Sequence, residues 1–150
     1  MGNKELVVSA LENGTVLDHI PAENVYKALD ILNLKGIENQ ITIGINLASK
    51  AQGKKGIIKI ENKFFEDDEL NKLALLAPNA TINIIRNFKV VEKKKIVMPK
   101  EIVGIAKCKN PKCVTNHQPI KTKFTTLNNG DEVSLLCSYC EKITDSKHIF

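Results

Sequence analysis

The sequence predicts an α+β protein of two units, a mixed helix-and-strand unit over residues 1–97 and a small all-β unit over residues 98–150. Three observations carry that expectation. Within the first hundred residues the hydrophobic period switches between two and about 3.6, the periods of strand and helix. All four cysteines lie in the last third, as Cys108-x4-Cys113 and Cys137-x2-Cys140, with 23 residues between the pairs. Between these regions, Met98-Pro99-Lys100 reads as a boundary.

The elements of the first unit follow in order. Lys4 to Leu11 is an apolar run of β type, and Glu12-Asn13-Gly14-Thr15 is a turn signal of the kind Asn-Gly supplies. Val16 to Ile20 is a short further extended piece. Pro21 suits the first turn of a helix, where its missing N–H costs nothing. Val25, Ala28, Leu29 and Leu32 then recur on one helical face, which closes near Gly36. Gln40 to Leu47 alternates strictly, with Ile41, Ile43, Ile45 and Leu47 apolar. Ala48 to Gly56 reads as a Gly- and Lys-rich loop. The strand Ile57 to Asn62 puts Ile58 and Ile60 on one face, with Lys55, Ile57 and Lys59 on the other. Asp67, Asp68 and Glu69 place carboxylates at a helix N-terminus, where the dipole favours them. Leu70, Leu73, Ala74 and Ala77 form that helix's buried face, and Pro78 stops it. Thr81–Ile85 and Lys89–Val97 are the last strands. The order β-α-β-β-α-β with an added strand is that of a ferredoxin-like sandwich, with two helices on one face of an antiparallel sheet.

The second unit, about 50 residues, is near the lower size limit for a domain without a staple. Two close thiol pairs separated by a hairpin length of chain build a closed, tetrahedral four-thiolate site for Zn²⁺, as in zinc-ribbon or rubredoxin-like folds. Four thiolates leave no position for water or substrate, so Cys108, Cys113, Cys137 and Cys140 are expected to hold one structural zinc. The alternative, a disulfide framework, is disfavoured because no secretory leader opens the chain and residues 1–100 contain no cysteine. An iron site of rubredoxin type would prefer x2 spacing in both pairs. The tips Lys109-Asn110-Pro111-Lys112 and Ser138-Tyr139 form tight turns whose N–H groups can point at sulfur. His117 reads as an exposed loop histidine.

Composition excludes several classes. The chain is 150 residues long, 43% apolar and 26% charged, as for an ordinary globular protein. No apolar run approaches the roughly 20 residues that cross a bilayer, so the cytoplasm is the expected location and no membrane partner is expected. The net charge of +5 is spread: 15 Lys/Arg against 12 Asp/Glu in residues 1–100, and 7 against 5 afterwards. A dedicated nucleic-acid tail is therefore absent. An RNA-recognition sheet would carry stacking rings on its third strand, and Lys55-Gly56-Ile57-Ile58-Lys59-Ile60 has none. No phosphate loop, nucleophile elbow or zinc-protease motif appears, so no catalytic residues are expected. Asp18 and His19 could form a base and its orienting carboxylate, but neighbours in an extended chain point to opposite faces. Lys55 and Lys59 share a strand face and can converge with the end of the first strand, and Lys93, Lys94 and Lys95 fall in the last strand; two or three clustered ammonium groups suit a triphosphate. Asn83 and Asp18 could hydrogen-bond a sugar or base. From composition alone, a plain solvated basic face is the simpler reading.

The segments Gly14-Thr-Val-Leu-Asp-His-Ile-Pro-Ala22, Ile41-Thr-Ile-Gly-Ile-Asn-Leu47, Ile58-Lys-Ile-Glu-Asn62, Leu73-Ala-Leu-Leu-Ala-Pro-Asn-Ala-Thr81 and Cys137-Ser-Tyr-Cys-Glu-Lys142 resemble the regulatory chains of aspartate carbamoyltransferase over nearly the whole length. The resemblance implies a non-catalytic subunit. Its first domain would bind CTP and ATP and pair with a second copy of itself; its zinc domain would dock on a catalytic chain. Carried over position by position, the nucleotide site would comprise Val8, Ala10, Leu11, Val16, Asp18, His19, Lys55, Lys59, Asn83, Ile85, Val90 and Lys93. Asn110 and Tyr139 would meet the catalytic chain. Phe88 stands where the family often has Tyr, Ser9 where an acidic residue is expected, and Ser138 where a lysine is expected.

Overall fold

The computed structural model describes residues 11–50, 53–129 and 132–145. By internal contacts the chain divides into two compact units, Met1–Ile96 and Val97–Phe150.

The first unit is a five-stranded antiparallel sheet of order β2-β3-β1-β4-β5, made of β1 (Gly14–Pro21), β2 (Ile41–Ser49), β3 (Gly53–Glu61), β4 (Thr81–Arg86) and β5 (Lys89–Lys95). Two short helices, α1 (Val25–Ile31) and α2 (Asp67–Asn71), complete it. The sheet order with β1 central is that of the ferredoxin-like sandwich, extended by β5. Leu17 pairs with Ile58 and with Ile82, and all three are buried. Gly56 shows which face the helices cover. A Cβ there would sit 2.1 Å from Val25 Cγ2, so the α1 end of the chain approaches β3 as closely as only glycine allows. Ile58 and Ile60 share that face; Lys55, Ile57 and Lys59 occupy the other.

Several local expectations are corrected. Ala48–Gly56 is mostly strand: β2 runs to Ser49 and β3 begins at Gly53. Pairing of Leu47 with Lys55, and of Ala48 with Lys54, overrides the weak strand preference of Gly and Lys. Gly14 opens β1 instead of turning, and its φ of +145° brings the backbone so near Ile60 that a Cβ would meet the carbonyl oxygen. Pro21 ends β1 in extended conformation. A 3₁₀ turn over Ala22–Asn24 precedes α1, which stops at Ile31, short of Gly36. The second helix is also short: α2 gives way to a 3₁₀ turn over Lys72–Leu75. Its N-terminus is a reciprocal capping box between Glu66 and Glu69, followed by the expected carboxylates. β5 ends at Lys95, two residues early. Of the apolar run Lys4–Leu11, only Leu11 is among the described residues, and it lies outside any strand; Val8, Ser9 and Ala10 fall outside them.

The second unit is a four-stranded antiparallel sheet of order β6-β7-β8-β9: β6 (Glu101–Val103), β7 (Lys123–Asn129), β8 (Glu132–Cys137) and β9 (Ile143–Asp145). Its core is small, with Ile102, Phe124, Val133 and Leu135 buried beside three of the cysteines. The β7–β8 hairpin fills the interval between the thiol pairs. Thr144 is fully buried, and its hydroxyl accepts the N–H of Lys109 at 3.1 Å.

Candidate functional site

Two constellations stand out, one in each unit. The first lies on the sheet face opposite the helices, where residue register sets one row across all five strands. Thr42 pairs with Lys59, Lys59 with Val16, Val16 with Asn83, and Asn83 with Lys93. Cross-strand partners share a face, so two lysines and an asparagine flank the central valine. A neighbouring row runs from Gly14 through Ile85 to Val90, and another from Asp18 through Thr81 to Lys95. Seven of the residues singled out from sequence, Val16, Asp18, Lys59, Asn83, Ile85, Val90 and Lys93, therefore lie together on one surface.

His19 joins them, contrary to the extended-chain expectation. β1 slips register between Leu17 and Ile20, and His19 takes a φ of 61°. This bulge keeps Asp18 and His19 on the same side. Asp18 Oδ1 accepts the His19 backbone N–H at 2.7 Å and lies 3.9 Å from His19 Nδ1, which is itself 3.2 Å from Thr81 Oγ1. Lys55 Nζ sits 2.8 Å from the same Asp18 oxygen. Thr81 was not foreseen; only the β1–β4 register reveals it. Burial holds the pKa of Lys59 below the usual lysine value, although the Asp18 carboxylate pulls it the other way. A cation made less comfortable by burial gains more from an incoming anion than a solvated one does. Val8 and Ala10 are outside the described residues. Leu11 is half-buried. Phe88 caps the β4–β5 turn at one end of this face, 64% exposed, and donates its backbone N–H to the Glu12 carbonyl at 2.9 Å.

The second constellation is the cysteine cluster. The four sulfurs lie within 4.8 Å of one another. Cys108 and Cys140 are 3.6 Å apart and Cys113 and Cys137 3.7 Å, with all four thiols free. A tetrahedron with metal–sulfur bonds of about 2.3 Å has edges of about 3.8 Å, so the cage has the size of a four-thiolate metal site. Its electrostatics agree. Burial pushes the Cys108 thiol up to about 12 against the Asn110 N–H that favours its thiolate, and burial likewise raises Cys137 against the N–H groups of Cys140 and Tyr139. At Cys140 burial pushes up too, but the Asn110 side chain, the Lys142 N–H and the neighbouring thiols bring it down to about 7. A divalent cation among the four sulfurs would favour their thiolate forms. Of the knuckle tips expected to aim N–H groups at sulfur, Asn110 and Tyr139 do so; the N–H groups of Cys140 and Lys142, outside those tips, join them.

The 3₁₀ turn Val114–Asn116 adds groups that spacing did not reveal. Thr115 Oγ1 is 3.1 Å from Cys113 Sγ. Asn116 Nδ2 donates to the carbonyls of Cys108 at 3.0 Å and Asn110 at 2.8 Å. His117 is exposed, its Nε2 2.6 Å from the Pro111 carbonyl, away from the sulfurs. Asn110 is half-buried, its Oδ1 accepting the Lys112 N–H at 3.1 Å, and Tyr139 is 48% exposed. Among the described residues, no helix is long and apolar enough to cross a membrane.

Comparison with known proteins agrees with this division. Residues 6–97 match the family model described as the allosteric domain of the aspartate carbamoyltransferase regulatory chain, and residues 100–150 match its metal binding domain. The aspartate carbamoyltransferase regulatory chain of Porphyromonas gingivalis is 47% identical over 142 residues, covering 95% of this chain and 93% of that one. That of Bacteroides fragilis is 50% identical over 141 residues (93% and 92%), and that of Pyrococcus horikoshii 46% over 147 (97% and 96%). With both units matched, the chain belongs to the family of aspartate carbamoyltransferase regulatory chains, non-catalytic subunits with an allosteric and a metal-binding domain.

Proposed function

We propose that this chain binds the nucleotides CTP and ATP on its first domain, residues 1–97, and passes their effect to the catalytic chain of a cytoplasmic aspartate carbamoyltransferase. The observation that carries this reading is the row Lys59–Val16–Asn83–Lys93 on the open sheet face, with Lys55, Asp18 and His19 beside it. Two ammonium groups, Lys59 one strand to one side of Val16 and Lys93 two strands to the other, suit a polyphosphate lying across the strands, with the base over Leu11, Ile85 and Val90. Val8 and Ala10 belong to the same proposed site. The first domain also pairs with a second copy of itself.

Residues 98–150 form the zinc domain, with Cys108, Cys113, Cys137 and Cys140 holding one Zn²⁺ whose role is structural. Thiolate softness and the size of the sulfur cage support zinc over a hard cation. Asn110 and Tyr139 at the knuckle tips would meet the catalytic chain, so that metal and docking share one edge. The regulated reaction serves pyrimidine biosynthesis. Calorimetric titration with CTP and with ATP, with and without the catalytic chain, tests the reading. Saturable binding of free nucleotide by the chain supports it; tight binding of poly(U) with no affinity for free nucleotide sinks it.

A further inference from the structure

We propose that the Val114–Asn116 turn is what keeps the metal centre closed, with Thr115 and Asn116 acting as positioning residues for the sulfur cage. This rests on the reading that the four cysteines hold a metal. Neither residue follows from the cysteine spacing, and each touches a different half of the first thiol loop.

Thr115 Oγ1 lies 3.1 Å from Cys113 Sγ. Once Cys113 is a metal-bound thiolate it has no proton to give, so the threonine hydroxyl must be the donor. A hydrogen bond to a thiolate draws off part of its charge and fixes its direction towards the metal. Cys113 is buried, so water has poor access to do the same. Removing the donor leaves a sulfur less well oriented towards the metal, which leaves the metal faster.

Asn116 works on the backbone. Its amide nitrogen carries two protons and finds two acceptors, the carbonyls of Cys108 and Asn110. Those carbonyls belong to the first turn of the longer knuckle, which has four residues between its cysteines where the second has two. The extra length needs a clamp, and Asn116 reaches back from outside the loop to supply it. The Cys113 N–H closes the same loop on the Asn110 carbonyl at 3.0 Å. Held this way, Asn110 presents its N–H to Cys108 and its side chain to Cys140.

The experiment measures metal release to a chelator from the full-length zinc-loaded chain, together with the thiolate-to-metal charge-transfer band of the Co²⁺ form. Thr115→Val keeps the shape and removes the donor; Thr115→Ser restores it. Asn116→Asp keeps the shape and replaces both donors by a carboxylate facing two carbonyls. Asn116→Ser retains one donor and guards against loss of folding in the aspartate variant. Outer hydrogen bonds to metal ligands are worth roughly 10- to 100-fold in affinity. Because Asn116 is exposed, about tenfold faster release is expected for Thr115→Val and Asn116→Asp, less for Asn116→Ser, and wild-type release for Thr115→Ser. Four-thiolate band intensity should persist in all of them. Wild-type release rates in Thr115→Val and Asn116→Asp, from a wild type that carries one metal per chain, overturn the proposal. A thermal stability change without faster release does the same, since it assigns the turn to folding alone. A wild type that takes up no metal overturns instead the reading on which the proposal rests.

Discussion

Lys55 holds its ammonium nitrogen 2.8 Å from Asp18 Oδ1, with both side chains only 19% exposed. That oxygen also accepts the His19 N–H, so one carboxylate fixes two of the groups assigned to the nucleotide site. A partly buried, hydrogen-bonded pair is worth more than an open surface pair. A double-mutant cycle with Asp18→Ala and Lys55→Ala should give a coupling energy of about 1 kcal/mol in urea unfolding. Additive effects of the two substitutions would show that the pair contributes nothing.

Lys59 and Lys93 flank Val16 and Asn83 in the same row. Charge-assisted bonds to phosphate are worth about 1.5–3 kcal/mol each. Lys59→Ala or Lys93→Ala should therefore weaken CTP and ATP alike by roughly ten- to hundredfold, and added salt should weaken binding further. Substitutions at Leu11 or Ile85 should alter one nucleotide more than the other. Calorimetry decides, and unchanged affinity in both lysine variants would remove the assigned site.

The sequence made the sheet legible because alternation at Ile41–Gly44 and Ile57–Asn62 is a direct imprint of the pleat; beyond Gly44 β2 slips register, and Leu47 pairs with Lys55 of the opposite face. The cage was equally plain, because thiolate ligands at close spacing have few other uses. Two things were not legible. Residues Gly53–Gly56 look like a loop by composition, and only pairing on both sides makes them strand. The bulge at His19 leaves no local signal either, so the shared side of Asp18 and His19 emerged only from the backbone. Thr115 and Asn116 are ordinary loop residues until the knuckle folds back on them.

Asn87 and Phe88 turn β4 into β5 with φ values of 52° and 64°. Asparagine tolerates this conformation, but a phenylalanine there costs about 1–2 kcal/mol. The ring is 64% exposed and so recovers little by burial. Phe88→Gly should raise stability by about 0.5–1 kcal/mol in denaturant unfolding. Loss of stability would mean that the ring supports the hairpin by packing.

Removing the metal should unfold residues 101–150 and leave residues 1–97 folded. About 50 residues bury too little surface to offset chain entropy unaided. Modification of the thiols with a mercurial should release about one Zn²⁺ per chain and detach the chain from its catalytic partner. Amide exchange with and without chelator reads both units at once. Protection that survives chelation in residues 101–150 would show that the small core suffices without metal.

Lys59 gives the site a pH signature. Burial lowers its pKa from the ordinary lysine value of 10.5, with Asp18 only partly restoring it. The sign for stability is unfavourable at neutral pH. A lysine whose folded pKa lies below its unfolded one costs stability when protonated, and that cost lifts as pH rises through the folded value towards 10.5. A bound triphosphate favours the ammonium form and raises the pKa again. Binding inside that alkaline window should take up a proton, and affinity should fall as pH climbs through the lowered folded value. Titrations in two buffers of different ionisation enthalpy measure the uptake directly. Lys59→Arg provides the control, because a guanidinium keeps its charge throughout. An equally early alkaline decline in Lys59→Arg would move the signature to another group and take Lys59 away from the phosphates.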